Sequence, residues 1–161
     1  MDIVFWILLV VVTCFSVVLI FGAPYLPTHK KQIELALELL KLQPGESLYE
    51  LGCGDGRVLR AAARKGYRAV GYEMNPLLYI IAVISTWRYR KVTSIRFGNF
   101  WNADLSDADG VYVFLLDRFM SRLDEKLSKE LKKGTRLTSY TFKIPGKKPV
   151  FARAGVFVYK Y

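Results

Sequence analysis

The run Glu50-Leu51-Gly52-Cys53-Gly54-Asp55-Gly56 places three alternating glycines behind a carboxylate, and a second acid, Glu73, stands about 20 residues beyond Gly52. Glycine at such spacing lets backbone N–H groups come close to a ligand at the start of a helix, where a side chain would stand in the way. A dinucleotide fingerprint reads G-x-G-x-x-G; this one reads G-x-G-x-G, with Glu50 two residues before the first glycine. The difference favours a methyl donor, S-adenosylmethionine, over a nicotinamide dinucleotide. At the end of a second strand, Glu73 is placed to hold both ribose hydroxyls; its plainer reading is a solvated acid near a helix start. Asn99 has an amide oxygen for an adenine amino group, or is simply a turn-forming residue after Gly98. Glu50 is placed to orient the donor's amino group, and Asp55 either caps the following helix or faces the ligand.

The elements that must position these residues alternate as in a parallel sheet covered by helices. A helix over Ile33–Leu42 leads to the Pro44-Gly45 turn, and a first strand ends in the glycine run. Arg57–Arg64 has helical composition and is stopped by Gly66. Arg68–Tyr72 reads as the second strand, Asn75-Pro76 as the cap and first residue of a helix continuing to Trp87, and Ser94–Phe97 as the third strand. Val111–Leu116 is apolar throughout and reads as a central fourth strand. Met120, Leu123, Leu127 and Leu131 recur at helical spacing, with Glu125 and Lys129 set for an i,i+4 pair. A fifth strand spans Arg136–Thr141, and a hairpin turns at Gly155. The expected fold is α/β, a Rossmann-like doubly wound, mostly parallel sheet with a C-terminal antiparallel hairpin.

Ile3 to Phe21 carries no formal charge, long enough to cross the roughly 30 Å of bilayer hydrocarbon. Asp2 and the absence of a basic leader argue against a cleaved signal peptide. The expected division is a transmembrane helix at 1–24, a linker and helix at 25–46, and one catalytic-size domain at 47–161. His29, Lys30 and Lys31 follow the span, so the positive-inside rule places the domain on the cytoplasmic or equivalent side. The net charge of +10 suits an anionic membrane surface or nucleic acid, and the former accounts for it more simply beside an anchor. Cys14 in the span and Cys53 in the glycine loop cannot pair, and with the lone His29 they offer no metal-ligand spacing.

From Tyr25 to Thr141 the chain resembles class I S-adenosylmethionine-dependent methyltransferases. More narrowly, it resembles the membrane-anchored lysine methyltransferases of the ATP synthase c-subunit and adenine nucleotide translocase, with their prokaryotic relatives. The stretches that carry the resemblance are Tyr25-Leu26-Pro27-Thr28, Glu50 to Arg57, Gly71-Tyr72-Glu73-Met74-Asn75-Pro76, Asn99-Phe100-Trp101 and Val113-Phe114-Leu115. The family usually has Asp-Leu-Trp where this chain has Asn99-Phe100-Trp101. The cofactor-binding set expected is Glu50, Gly52, Cys53, Gly54, Asp55, Gly56, Glu73, Met74, Asn99 and Phe100. The resemblance implies lysine methylation at a membrane, with the bilayer and a membrane-associated protein as partners, nucleic acid ranked below them and no metal.

Methyl transfer is an in-line displacement in which positioning supplies much of the acceleration. A lysine acceptor, protonated at its ordinary pKa of about 10.4, must also lose a proton by desolvation or to a base or water. Near-methyl candidates are Tyr72, Leu115, Leu116 and Asp117 at strand ends, with Tyr25 or Thr28 from the segment that folds over the cofactor. Asp117 has the plainer reading of a helix cap, and no general base is assigned. The acids Asp104, Asp107 and Asp109 either attract a basic substrate segment or are solvated loop residues. The rival readings are methylation of a lipid or small molecule, and donor binding without turnover.

Overall fold

A computed structural model describes residues 26–161, together with the helical and exposed positions 3–6, 8–9 and 12–13. Most of the uncharged Ile3–Phe21 stretch, and Tyr25, lie outside the described residues; among those described, no helix is long and apolar enough to cross a membrane.

Among residues 26–161, four α-helices and seven strands follow in order: α1 Lys30–Leu40, β1 Ser47–Leu51, α2 Arg57–Arg64, β2 Arg68–Glu73, α3 Pro76–Thr86, β3 Thr93–Phe97, β4 Gly110–Val113, α4 Met120–Glu130, β5 Arg136–Tyr140, β6 Phe151–Arg153 and β7 Val156–Lys160. The sheet order is β3-β2-β1-β4-β5-β7-β6, parallel from β3 to β5 and antiparallel for β7 and β6. Winding runs outward from β1 through β2 to β3, then returns to β1's other side for β4. The crevice between the carboxyl ends of β1 and β4 is therefore the place where such sheets bind ligands. The terminal hairpin turns through Ala154 and Gly155, both at positive φ, the backbone that matches strand twist in a two-residue turn.

Side chains alternate across the sheet and feed two cores. Ile33, Ala36, Leu37 and Leu40 of α1 and Val58, Leu59 and Ala62 of α2 pack with Leu48 and Tyr112 on one face. Met120, Leu123 and Leu127 of α4 pack with Tyr49, Leu51, Tyr72, Val111 and Leu137 on the other. Thus α1 is part of the first core and more than a lead-in from the N-terminal segment.

Three local expectations are corrected. The fourth strand stops at Val113, and Phe114–Leu116 leave the sheet before a 3-10 turn at Asp117–Phe119. The i,i+4 ion pair on α4 joins Lys126 to Glu130 at 2.6 Å, one residue beyond the Glu125/Lys129 spacing. Asp109 accepts the Ser47 N–H at 2.8 Å, which holds it at the amino end of β1, away from the crevice. Asp104 accepts the Ser106 N–H at 2.9 Å and Asp107 lies 3.9 Å from Lys132 beyond α4; both are exposed, in keeping with the plainer reading of solvated loop acids.

Candidate active site

The glycine run forms a loop between β1 and α2 that is tied to the end of β2. Gly52 and Cys53 N–H groups both donate to the Tyr72 carbonyl at 3.0 and 2.9 Å. Gly52 holds φ +83° with open space where a side chain would be, whereas a Cβ on Gly56 at φ +75° would come within 3.0 Å of Thr86 on α3. The first glycine therefore keeps the ligand side of the turn clear, and the last lets α3 pack against the loop. Ser85 of α3 reinforces that packing by donating to the Asp55 carbonyl at 2.6 Å.

The loop floors an open cleft, the concave form that small-molecule sites take. Its walls bring together Glu50, Gly52, Cys53, Gly54, Asp55, Glu73, Met74, Asn99 and Phe100 from the expected cofactor set, with Thr28 and Leu115 from the near-methyl candidates. Gly56 lies behind the wall. Tyr72, Leu116 and Asp117 are not among the lining residues. The Tyr72 side chain lies in the second core and its hydroxyl accepts from Arg96 Nη1 at 2.6 Å. Asp117 is exposed in its 3-10 turn.

Glu73 is buried, and both of its oxygens already accept backbone donors: Oε2 from Gly54 at 2.8 Å, Oε1 from Met74 at 2.9 Å and Asn75 at 2.8 Å. One carboxylate thereby pins the glycine loop to the start of α3, whose own first turn is capped by Asn75 Oδ1 accepting from Leu77 and Leu78 at 2.9 and 3.2 Å. Burial raises the Glu73 pKa, and the three amide donors offset only part of that rise. Asn99 uses its amide oxygen for the Trp101 N–H at 3.1 Å, capping the 3-10 turn Phe100–Asn102.

Glu50 is equally buried but differently placed. Its Oε2 has no hydrogen-bond partner, and desolvation, followed by the charges of Asp55 and Glu73, pushes its pKa well above the usual carboxylate range. A buried carboxylate oxygen left unpaired is costly, and a ligand ammonium group would relieve both the missing bond and the crowding of acids. Burial likewise pushes up the Asp55 pKa, but hydrogen bonds and charge from Arg57 outweigh it and hold the carboxyl below its usual value. Asp55 Oδ1 accepts the Arg57 N–H at 3.1 Å and Nε–H at 3.0 Å, so it serves the first turn of α2. Cys53 is buried with a thiol pKa raised well above normal, first by desolvation and then by Glu50 and Glu73; at neutral pH it is a thiol that packs.

Tyr112 and its partnership with Thr28 carry no signal in the sequence. Glu50 and Tyr112 are paired across β1 and β4, and the Tyr112 hydroxyl lies 2.9 Å from Thr28 Oγ1. Arg57 Nη1 donates to the Thr28 carbonyl at 3.3 Å. These contacts draw the 26–29 segment across the mouth of the cleft, where Leu26 and Pro27 join the lining. Burial raises the Tyr112 pKa despite the Thr28 hydrogen bond, so its hydroxyl stays protonated.

A family model described as the ANTKMT methyltransferase domain matches residues 50–151. The chain belongs to this family of S-adenosylmethionine-dependent methyltransferases. It is 40% identical over 130 residues to a protein-lysine N-methyltransferase of Saccharolobus islandicus, covering 78% of this chain and 81% of that protein. It is 36% identical over 124 residues to the human lysine N-methyltransferase of the ATP synthase c-subunit, covering 76% of this chain and only 53% of that protein. The chain thus spans about half the length of its human relative. A crystal structure described as an RNA methyltransferase from Salinibacter ruber, in complex with S-adenosyl-L-homocysteine, aligns with TM-score 0.77 and 32% identity over 84% of this chain and 92% of that one. The glycine loop and cleft therefore belong to a methyl-donor fold, as their departure from the dinucleotide pattern implied.

Proposed function

We propose that this chain is a protein-lysine N-methyltransferase that uses S-adenosylmethionine to modify a membrane or membrane-proximal protein, held at the bilayer by its N-terminal apolar segment. The observation that carries the reading is the unpaired Glu50 oxygen in a cleft built by the glycine loop and Glu73, in a chain whose relatives include named lysine methyltransferases. Glu50 would receive the donor's amino group. Glu73 would accept a ribose hydroxyl through the one Oε2 lone pair that its three amide bonds leave over. Met74 and Phe100 offer apolar surface to the adenine. The bound donor supplies an already activated methyl group.

What remains for the protein is to desolvate and aim the acceptor amine. The 26–29 segment, pinned by Tyr112 and Arg57, shields one side of the cleft, and Leu115 and Phe114 supply apolar walls that favour the neutral amine over the ammonium. The acceptor ammonium would lose its proton to water on entering these apolar walls, and the Thr28 and Tyr112 hydroxyls can then accept a hydrogen bond from the neutral amine. In this reading the chain is an anchor at 1–24, a linker and helix at 25–46 and a domain at 47–161, and His29, Lys30 and Lys31 after the anchor favour the cytoplasmic or equivalent face for the cleft.

A second reading, RNA methylation, is favoured by the net charge of +10 and by the Salinibacter ruber structure's description. Against it, Leu116-Asp117-Arg118-Phe119 follows β4 in place of an amino-base motif of the Asn/Asp-Pro-Pro-Tyr type. Purified full-length protein in detergent, given radiolabelled donor and membranes, RNA and lipid extract of the source cells, separates the readings. Methyl-lysine found by mass spectrometry in a membrane protein supports the proposal. Label confined to RNA or to the organic extract replaces it, and donor binding without any label leaves a non-catalytic binder.

A further inference from the structure

A helix lying between a sheet and water is expected to turn a polar face outward, and α3 does not. Its inner residues Leu78, Ala82 and Thr86 are buried, yet its outer stripe is Ile80, Ile81, Ile84 and then Trp87, with Ile84 69% and Trp87 62% exposed. The edge strand β3 continues this surface. Phe97 at its end is 59% exposed and meets Tyr79 of α3 edge-on, ring centroids 5.4 Å apart. Val92 in the connecting turn is exposed too. The same stretch has an unusual charge balance: from Met74 to Ala103 there is no aspartate or glutamate, while Arg88, Arg90 and Lys91 follow α3 and Arg96 turns to Tyr72 on the sheet's other face. Arg90 lies over the Trp87 ring at 5.0 Å, a cation beside an amphipathic aromatic at the margin of the apolar face.

We propose that the outer face of α3 with the edge strand β3 is a membrane-docking surface that seats against an anionic lipid bilayer. Exposed isoleucines with a tryptophan and flanking arginines match an interfacial helix, whose apolar face enters the acyl boundary while its cations meet the headgroups. Charge selects this occupant over a second copy of the chain, since pairing two such faces would bring two all-cationic rims together. The contact is separate from the N-terminal apolar segment, and it would orient the cleft, because Leu78 in the first turn of α3 and Met74 just before its cap line it.

The test needs neither methyl donor nor acceptor, so it stands apart from the lysine reading. Full-length protein is reconstituted into phosphatidylcholine vesicles, with and without phosphatidylglycerol, containing a lipid with a photoactivatable acyl chain; adducts are mapped by peptide mass spectrometry. Adducts on peptides covering Ile80–Trp87 and Phe97 are expected, several-fold more abundant with the anionic lipid. In an Ile80→Glu/Ile84→Glu variant they should fall to the level of solvent-facing α4. Donor binding by that variant, followed calorimetrically, checks that it is folded, and Arg88→Glu/Arg90→Glu/Lys91→Glu should remove the anionic enhancement while leaving the fold intact. Lipid adducts confined to the N-terminal segment would overturn the proposal. So would protein cross-links joining two α3 faces, or joining α3 to the N-terminal segment, in place of lipid adducts.

Discussion

Glu50 and Glu73 lie on neighbouring strands of one cleft, both buried and both with raised pKa values, yet the protein treats them in opposite ways. At the end of β2 the chain turns its backbone back onto Glu73, which receives three amide donors. At the end of β1 the loop turns away from Glu50 and leaves Oε2 without a partner. The first acid builds the loop that the second needs. A carboxylate whose bonds are filled from within stabilises the empty fold; one whose bond is missing lowers the stability of the empty fold and gains from the ligand.

The largest effect expected on this contrast is from Glu73→Ala. It strips acceptors from the Gly54, Met74 and Asn75 amides, and leaving buried donors unpaired should cost roughly 3 kcal/mol or more in urea unfolding. Donor affinity in calorimetry should fall by at least about 100-fold, because the ribose contacts and the loop go together. Unaltered stability with weakened binding would show Glu73 to be a ligand contact alone. Glu50→Gln should separate the two properties. Loss of a charge-assisted bond to the donor's ammonium should weaken binding by about 10- to 100-fold. Thermal stability without donor should hold or rise, since a buried charge has been removed. A variant that binds the donor as tightly as the parent would mean that Glu50 faces no ammonium group.

Titration should sharpen the same difference. Because the folded pKa of Glu50 lies above its unfolded value of about 4.5, the folded state holds more protons, and stability falls as pH rises. Glu50's contribution is fully present below about pH 4.5 and is lost as pH climbs through the raised folded value. Glu50→Gln should flatten that decline, so the variant's advantage over the parent widens with pH above about 4.5. Asp55 works in the other direction. Its folded pKa is lowered, so its contribution is present above its unfolded value and disappears as acid protonates it. Parallel unfolding curves for parent and Glu50→Gln across that window would remove the case for a buried, strained Glu50.

How far the sequence reaches follows from what each element depends on. The strand and helix order, the glycine loop, the Asn75-Pro76 helix start and the hairpin at Gly155 are written in local apolar runs and punctuation, and the structure contains them. The fourth strand reads too long in the sequence because Phe114, Leu115 and Leu116 are as apolar as a central strand. Nothing local records that the register with β1 and β5 ends at Val113. Tyr72 stands at a strand end and so reads as a neighbour of the methyl, but alternation sends its side chain to the other core, while Gly71 and Glu73 on either side belong to the face that carries the loop. The role of Glu73 as an acceptor for three amides depends on how the backbone curls around it, which residue types do not encode. The apolar outer stripe of α3 is legible as composition, but only the burial of Leu78, Ala82 and Thr86 shows that a second apolar face is left over.

The pairing of Tyr112 with Thr28 is the least accessible of all, since its partners are separated by 84 positions and one lies in a strand that reads as uniformly apolar. It also offers the smallest effect. Thr28→Val and Tyr112→Phe should each cost about 1 kcal/mol by leaving the other hydroxyl buried and unpaired, and the double variant should cost little more than either alone. A coupling of that sign in urea unfolding would establish that the hydroxyls serve each other and hold the 26–29 segment over the cleft. Their part in turnover then shows as a separate quantity. If Tyr112→Phe loses more activity than donor affinity, the hydroxyl also meets the acceptor amine. If both change in step with stability, its task ends with fastening the segment beside Glu50.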